Sequence, residues 1–182
     1  MKLLQTTTLL SATMACGLMA GLFAGFAYAV MPGLGRSSDR TLVEAMQNIN
    51  KAILNPAFLV PFIGAIPLIA LAVILAWRGQ GRPALPWLIA GLVLYLVAFA
   101  ITRAVNVPLN GQLATATSDL AAARGAFEKT WVTWNIIRAL VHTAAFVCLL
   151  WALIVYGAHR PDDDQPTALH AGHEHSMVVP GR

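Results

Sequence analysis

Four stretches of this chain stay apolar for about 20 residues, the length at which an α-helix crosses a hydrocarbon core of about 30 Å. They run Leu9–Met31, Phe58–Trp77, Pro86–Val105 and Trp134–Tyr156. Lipid offers no partner to a bare backbone N–H or C=O, so such stretches must close their hydrogen bonds internally as helices. The pattern predicts an all-α membrane protein, a four-transmembrane-helix up-down-up-down bundle with two structured loops on one face. Both termini then share the other face. Hydrophobic residues make up 58% of the 182 and charged residues only 11%, which leaves too little polar surface for a soluble domain. The lipid bilayer is therefore the first partner.

The first apolar run has a rival reading as a cleaved signal peptide, since Lys2 precedes it and Ala27-Tyr28-Ala29 resembles a cleavage site. Signal peptides carry apolar cores of about 7–15 residues, and this run is longer, so a retained helix is the better expectation. After it, Met31-Pro32-Gly33-Leu34-Gly35 is expected to break the helix. Thr41 and Glu44 then have the spacing of a capping box, and Leu42, Met46, Ile49 and Ile53 would be the apolar face of a short helix. Asn55-Pro56 closes that element. The connection from Asn106 to Thr130 carries Asn-Val-Pro-Leu-Asn and a helix expected from Ser118 or Asp119 through Glu128. Residues 1–160 thus form the transmembrane domain. Residues 161–182, with Asp162 to Asp164 and several small residues, read as a flexible tail.

Charge says little about orientation. Lys2, Arg78, Arg82 and Arg160 fall on the termini side, against Arg36, Arg40, Lys51, Arg103, Arg124 and Lys129 on the loop side. The short Arg78–Arg82 turn and Lys2 favour cytoplasmic termini. The twelve Lys and Arg are scattered singly, without the basic runs that grip phosphate backbones, which argues against nucleic acid as a partner. Cys16 and Cys148 lack metal or disulfide spacing and read as small core residues.

Chemistry concentrates in the fourth span. Asn135, Arg138 and His142 fall on one helical stripe, with Trp131 one turn earlier. An ionisable group inside a membrane helix costs roughly 2.5–3.5 kcal/mol on insertion scales, so it should face a cavity and find partners there. Arg138 could be purely structural, paired with Glu128, Glu44 or Asp39 or hydrogen-bonded to loop carbonyls near the membrane surface. His142 lies deeper, where a neutral imidazole with one donor and one acceptor can take up a proton as a general base. A hydrogen-bonded core histidine would look the same in sequence. Asn50, Asn55, Asn106 and Asn110 gather at the loop side; each alone is a cap or turn residue, together they can line a polar mouth. Trp131 could stack on a flat ligand, with Tyr28 and Met31 at the matching end of the first span.

Other sites are weaker. The tail residues His170, His173, His175 and Met177 could hold copper or zinc transiently. A loop-side metal built on Asp39, Glu44, Glu128 and His142 is poorly spaced. His142 is the only histidine inside a span, which argues against a bis-histidine haem within one chain.

Four segments carry a resemblance: Gly21 to Leu34, Ala45-Met-Gln-Asn-Ile-Asn50, Asn106-Val-Pro-Leu-Asn110 and Trp131-x-x-Trp-Asn-x-x-Arg138. In combination and order they resemble the membrane family that includes the fungal anthrone oxygenases, most of whose bacterial members carry no assigned function. The resemblance covers roughly Leu9 to Tyr156. It implies a small four-helix protein, in a bacterial inner membrane, that acts on a lipophilic aromatic, anthrone- or quinone-like molecule with O2 and without an obligatory redox cofactor. His142 would then act as base and Arg138 with Asn135 as enolate stabilisers, while Trp131, Tyr28, Met31, Asn50, Asn106 and Asn110 would surround the substrate. The alternative is a non-enzymatic accessory or small-molecule-binding protein with a structural polar cluster. Assembly into a homo-oligomer and the identity of any cofactor stay open.

Overall fold

The computed structural model describes residues 2–79 and 81–159. The tail histidines and the tail boundary lie outside them. Four long helical stretches are apolar enough to cross a membrane: Lys2–Gly35, Pro56–Arg78, Arg82–Ala114 and Leu120–Ala158. They form the up-down-up-down bundle, each packing on its sequence neighbours and the first also on the fourth. The first span is part of this core, with Leu9, Ala12, Cys16, Met19 and Phe23 buried. Small residues let the backbones approach where the spans cross, among them Ala65, Ala72, Ala98, Ala145 and Ala152, all essentially without exposure. Glycines do the same: a Cβ at Gly17 would stand 2.8 Å from Phe146 Cε2, and one at Gly91 3.0 Å from Leu149 Cδ2 and 3.2 Å from Cγ.

The spans are longer than their apolar runs because two expected breaks do not occur. Helix α1 (Lys2–Gly25) continues through a π-turn at Phe26–Val30 into α2 (Met31–Gly35). Proline at position 32 lacks an N–H and would set its ring against the carbonyl four residues back. The chain widens instead of breaking: Met31 N–H bonds to Phe26 O, one residue beyond the α-helical partner. The same device recurs in the third span. Helix α5 (Leu85–Ile101) passes through a π-turn at Thr102–Asn106, closed by Val107 N–H to Thr102 O, into α6 (Val107–Ala114), where Pro108 sits. Asn106 to Asn110 are therefore helical rather than a loop.

Between the first two spans, α3 (Asp39–Ala52) begins at Ser38, whose hydroxyl accepts from Thr41 N at 3.2 Å. The expected Thr41–Glu44 capping box is replaced by this cap, and Glu44 pairs with Arg40 at 3.1 Å. Its buried face is Leu42, Val43 and Met46. They close a second core with Met31, Leu113, Phe127 and Trp131, a cap over one end of the bundle. Helix α4 (Pro56–Arg78) is capped by Asn55, which accepts from Phe58 N. Asp119 caps α7 (Leu120–Ala158) as expected, yet this helix runs unbroken into the fourth span.

Arg124 locks the cap to α7. Its guanidinium donates to Glu128 at 2.6 Å, Asp39 at 3.0 Å, Ser37 O at 2.9 Å and Gly35 O at 2.8 Å. These are two of the acids that the sequence offered to Arg138. Gln47 adds a staple, donating to Leu113 O and Ala116 O at 2.9 and 3.0 Å.

The close approach at Gly91 sets a test of the bundle. Gly91→Leu should overpack against Leu149 and destabilise the protein by about 1–3 kcal/mol, read as a lowered thermal midpoint in detergent. Gly91→Ala should cost less, because Leu149 can turn aside.

Candidate functional site

Beneath the cap, between the spans, lies a cavity of about 480 Å³. Small-molecule sites commonly occupy about 300–1,000 Å³. Its walls are aromatic: Phe23, Phe26, Phe58, Phe62 and Phe99 all line it. Phe58 stacks on Phe62 with ring centroids 5.0 Å apart, Phe62 on Phe99 at 5.1 Å, and Phe23 meets Phe62 edge-on at 6.2 Å. Helical spacing produces this wall, since Phe58 and Phe62 lie four apart on α4 and Phe23 and Phe26 three apart around the first π-turn. A second depression, lined by Arg124, Glu128 and Lys129 on the cap side of α7, holds no aromatic side chain.

Polar groups reach the cavity from three directions. Arg138, Thr102 and Trp131 line it from the bundle, Asn110 and Arg103 from the third span, and Gln47, Asn50 and Lys51 from α3. Arg138 is only 5% exposed and pairs with no carboxylate among the described residues. Its Nε and Nη2 donate to Asn135 Oδ1 at 3.2 and 3.0 Å, and Nη1 donates to Thr102 Oγ1 at 3.3 Å. Aromatic faces flank the cation, with Cζ 4.1 Å from the Phe23 centroid and 5.3 Å from that of Trp131. Such contacts are worth about 2 kcal/mol when desolvated. A guanidinium carries five N–H donors, and three are used here, so two remain to meet a guest.

Asn135 works through Arg138. It is fully buried, accepts both guanidinium bonds, and donates to Phe23 O at 3.2 Å, tying the fourth span to the first beside the π-turn. That makes it a positioning residue. Trp131 is set by Asn110, whose Oδ1 accepts the indole N–H at 2.7 Å, and by Asn106, which donates to Trp131 O at 3.4 Å. Asn106 is fully buried and does not line the cavity; its Oδ1 lacks a partner, as does Asn50 Nδ2 at the rim.

His142 lies behind the wall. It is fully buried with the rings of Phe23 and Tyr95 each 4.9 Å away, and it does not line the cavity. Its Nδ1 stands 2.9 Å from Arg138 O. A carbonyl can only accept, so Nδ1 carries the proton and the lone pair is on Nε2, which has no partner. Tyr95 is engaged elsewhere, donating to Phe62 O at 2.9 Å. Tyr28 is 75% exposed and Met31 is buried in the cap core, so neither reaches the cavity. No group of three His, Cys, Asp or Glu among the described residues is arranged to hold a metal ion.

The residues missed in sequence are the phenylalanines and the rim cations. Five of the chain's seven phenylalanines line this one space, a concentration toward the cap-side ends of three spans that was visible in the sequence.

The family model for anthrone oxygenase matches residues 57–148, half of the chain, taking in Phe58, Phe62, Phe99, Thr102, Trp131 and Arg138. No curated protein and no solved structure matches.

The Arg138 cluster makes its own prediction. Asn135→Ala strands two N–H groups of a buried cation and should cost about 1.5–3 kcal/mol, measured as a lowered thermal midpoint in detergent. Asn135→Asp restores an acceptor for Arg138 but loses the donor to Phe23 O, so it should recover only part of that loss.

Proposed function

The chain belongs to the anthrone oxygenase family, and from that premise we propose that it is a membrane-embedded oxygenase acting on a lipophilic aromatic, anthrone- or quinone-like molecule held in the phenylalanine-lined cavity. The observation that carries this reading is the buried Arg138 guanidinium, which has no carboxylate partner among the described residues, keeps two N–H groups unused, and lines an aromatic space. Such an arrangement is complementary to negative charge developing on a flat guest.

In this reading a methylene proton, acidified by flanking rings and a carbonyl, is removed, and the enolate oxygen takes the two free N–H groups of Arg138. The enolate passes one electron to O2, and the two radicals join in a C–O bond to a peroxide. The peroxide takes up a proton. Loss of the second methylene proton then breaks the O–O bond, leaving a new carbonyl and water. One oxygen atom enters the product and the other leaves as water, so no external reductant is consumed.

Phe23, Phe58, Phe62 and Phe99 provide flat walls, and Trp131, fixed by Asn110, a further plate. Asn50 offers an unpaired donor at the rim. His142 is our candidate proton acceptor through the Nε2 lone pair, reached when Phe23 turns aside. The same reading sets the protein in a bacterial inner membrane with cytoplasmic termini, so that the cap and the rim of the cavity face the opposite side.

One observation favours a second reading, a non-enzymatic small-molecule-binding or accessory protein: among the described residues no His, Asp or Glu lines the cavity. Turnover separates the two. Purified protein in detergent should consume O2 with some member of a panel of anthrones and hydroquinones, and with an anthrone isotopically heavy O2 should leave one labelled atom in the product. Arg138→Leu should lower kcat/KM by about 10²–10³-fold, with partial recovery in Arg138→Lys. His142→Gln should lower it by about 10²–10⁴-fold if the imidazole is the base. Uptake no faster than without protein across the whole panel would overturn the oxygenase reading.

A further inference from the structure

The charge around the cavity has one sign. Arg138, Lys51 and Arg103 line it, and among the described residues no carboxylate does. The acids nearest the cap in sequence are engaged elsewhere, Asp39 and Glu128 by Arg124 and Glu44 by Arg40. Most of the neutral polar groups have the same bias. Asn50 Nδ2 is a buried donor without a partner, and Asn110 Oδ1 is spent on Trp131, which leaves its amide N–H groups. Thr102 Oγ1 donates to Ala98 O and accepts from Arg138, so it adds no strong acceptor. Gln47 is the exception: its amide nitrogen is spent on Leu113 O and Ala116 O, which leaves its Oε1 as an acceptor. The space presents mainly hydrogen-bond donors and positive charge on an aromatic lining.

A neutral guest would leave Arg138 buried and uncompensated, which is costly. An anion would complete it, with a charge-assisted bond in a site largely removed from water. We propose that the cavity selects planar aromatic anions, a fused-ring body bearing an enolate, phenolate or carboxylate, with the charge seated on Arg138 and drawn in by Lys51 and Arg103 at the rim. The proposal rests on this cavity being the working site, and it assigns the ionisation state in which the guest is held. Rim cations act on the approach. They are exposed, so their contribution falls with salt, whereas that of Arg138 does not.

Binding tests this without turnover, so a failed oxygenase assay leaves it standing and a failed binding assay is recognised separately. The full chain in neutral detergent is titrated with 9-anthracenecarboxylate, followed by the probe's fluorescence, and with its methyl ester as the neutral twin. Wild type should prefer the carboxylate by roughly ten- to a hundredfold, the range of one charge-assisted hydrogen bond. Asn135→Asp, which neutralises Arg138 in place, should erase that preference while retaining the ester, and Arg138→Gln should do the same. Lys51→Gln with Arg103→Gln should slow association and flatten its salt dependence, leaving most of the preference intact. Equal or tighter binding of the ester to wild type overturns the proposal, as does a preference that survives Asn135→Asp. Decanoate and vesicles of phosphatidylglycerol serve as aliphatic and lipid anions. They should displace the probe poorly; displacement as effective as by the aromatic carboxylate would mean that the site takes lipid anions, and the aromatic assignment falls.

Discussion

A guanidinium inside a membrane helix must be satisfied where it stands, and much of this structure is arranged around that requirement. Arg138 draws on three of the four spans: Asn135 on its own helix, Thr102 on the third span, and the ring of Phe23 on the first. Asn135 reaches on to Phe23 O, so the cation and the first span are held by the same side chain. All these partners are neutral. Neutral acceptors satisfy N–H geometry but leave the charge itself open, unlike a closed ion pair. The carboxylates that might have closed it are gathered by Arg124, fourteen residues earlier on the same helix, where they fasten the cap instead.

The cavity also depends on how two prolines are accommodated. Pro32 and Pro108 each follow a five-residue π-turn that ends two residues earlier. A π-turn inserts an extra residue into the helical ladder and is often found at functional sites. Here it keeps the first and third spans helical into the cap while changing the direction in which side chains emerge. Phe26 belongs to one turn, Thr102 and Arg103 to the other, and all three line the cavity. Had the prolines ended these helices, α2 and α6 would not stand over the bundle, and Met31 and Leu113 could not meet Leu42 and Trp131 in the cap core.

Much of the architecture was legible because lipid makes hydropathy an unusually direct code. The four spans, the side on which the cap lies, the Asp119 start of α7 and the inward stripe of Asn135, Arg138 and His142 all follow from run length and helical period. The breaks were misplaced for a physical reason: a proline forbids one hydrogen bond, and sequence does not say whether the chain answers with a kink, a stop or a wider turn. The capping box failed because Ser38, one turn upstream of Thr41, offers an equivalent hydroxyl in extended backbone.

At the site, residue type and stripe selected Trp131, Asn135 and Arg138, yet sharing a stripe is not sharing a cavity. His142 lies on the same face one turn deeper, and there Phe23 and Tyr95 fill the space that Arg138 has beside it. Tyr28 and Met31, chosen because they end the first span, were turned to the surface and to the cap core around the π-turn. The sequence alone determined that this is a four-span helical membrane protein with a buried polar stripe, because the cost of exposing backbone and charge to hydrocarbon admits few other solutions. Only the tertiary structure decided that five phenylalanines form a cavity and that the charged side chains lining it among the described residues are Lys51, Arg103 and Arg138. Those are properties of distances between spans, and helical periodicity fixes directions within one span but not what stands opposite.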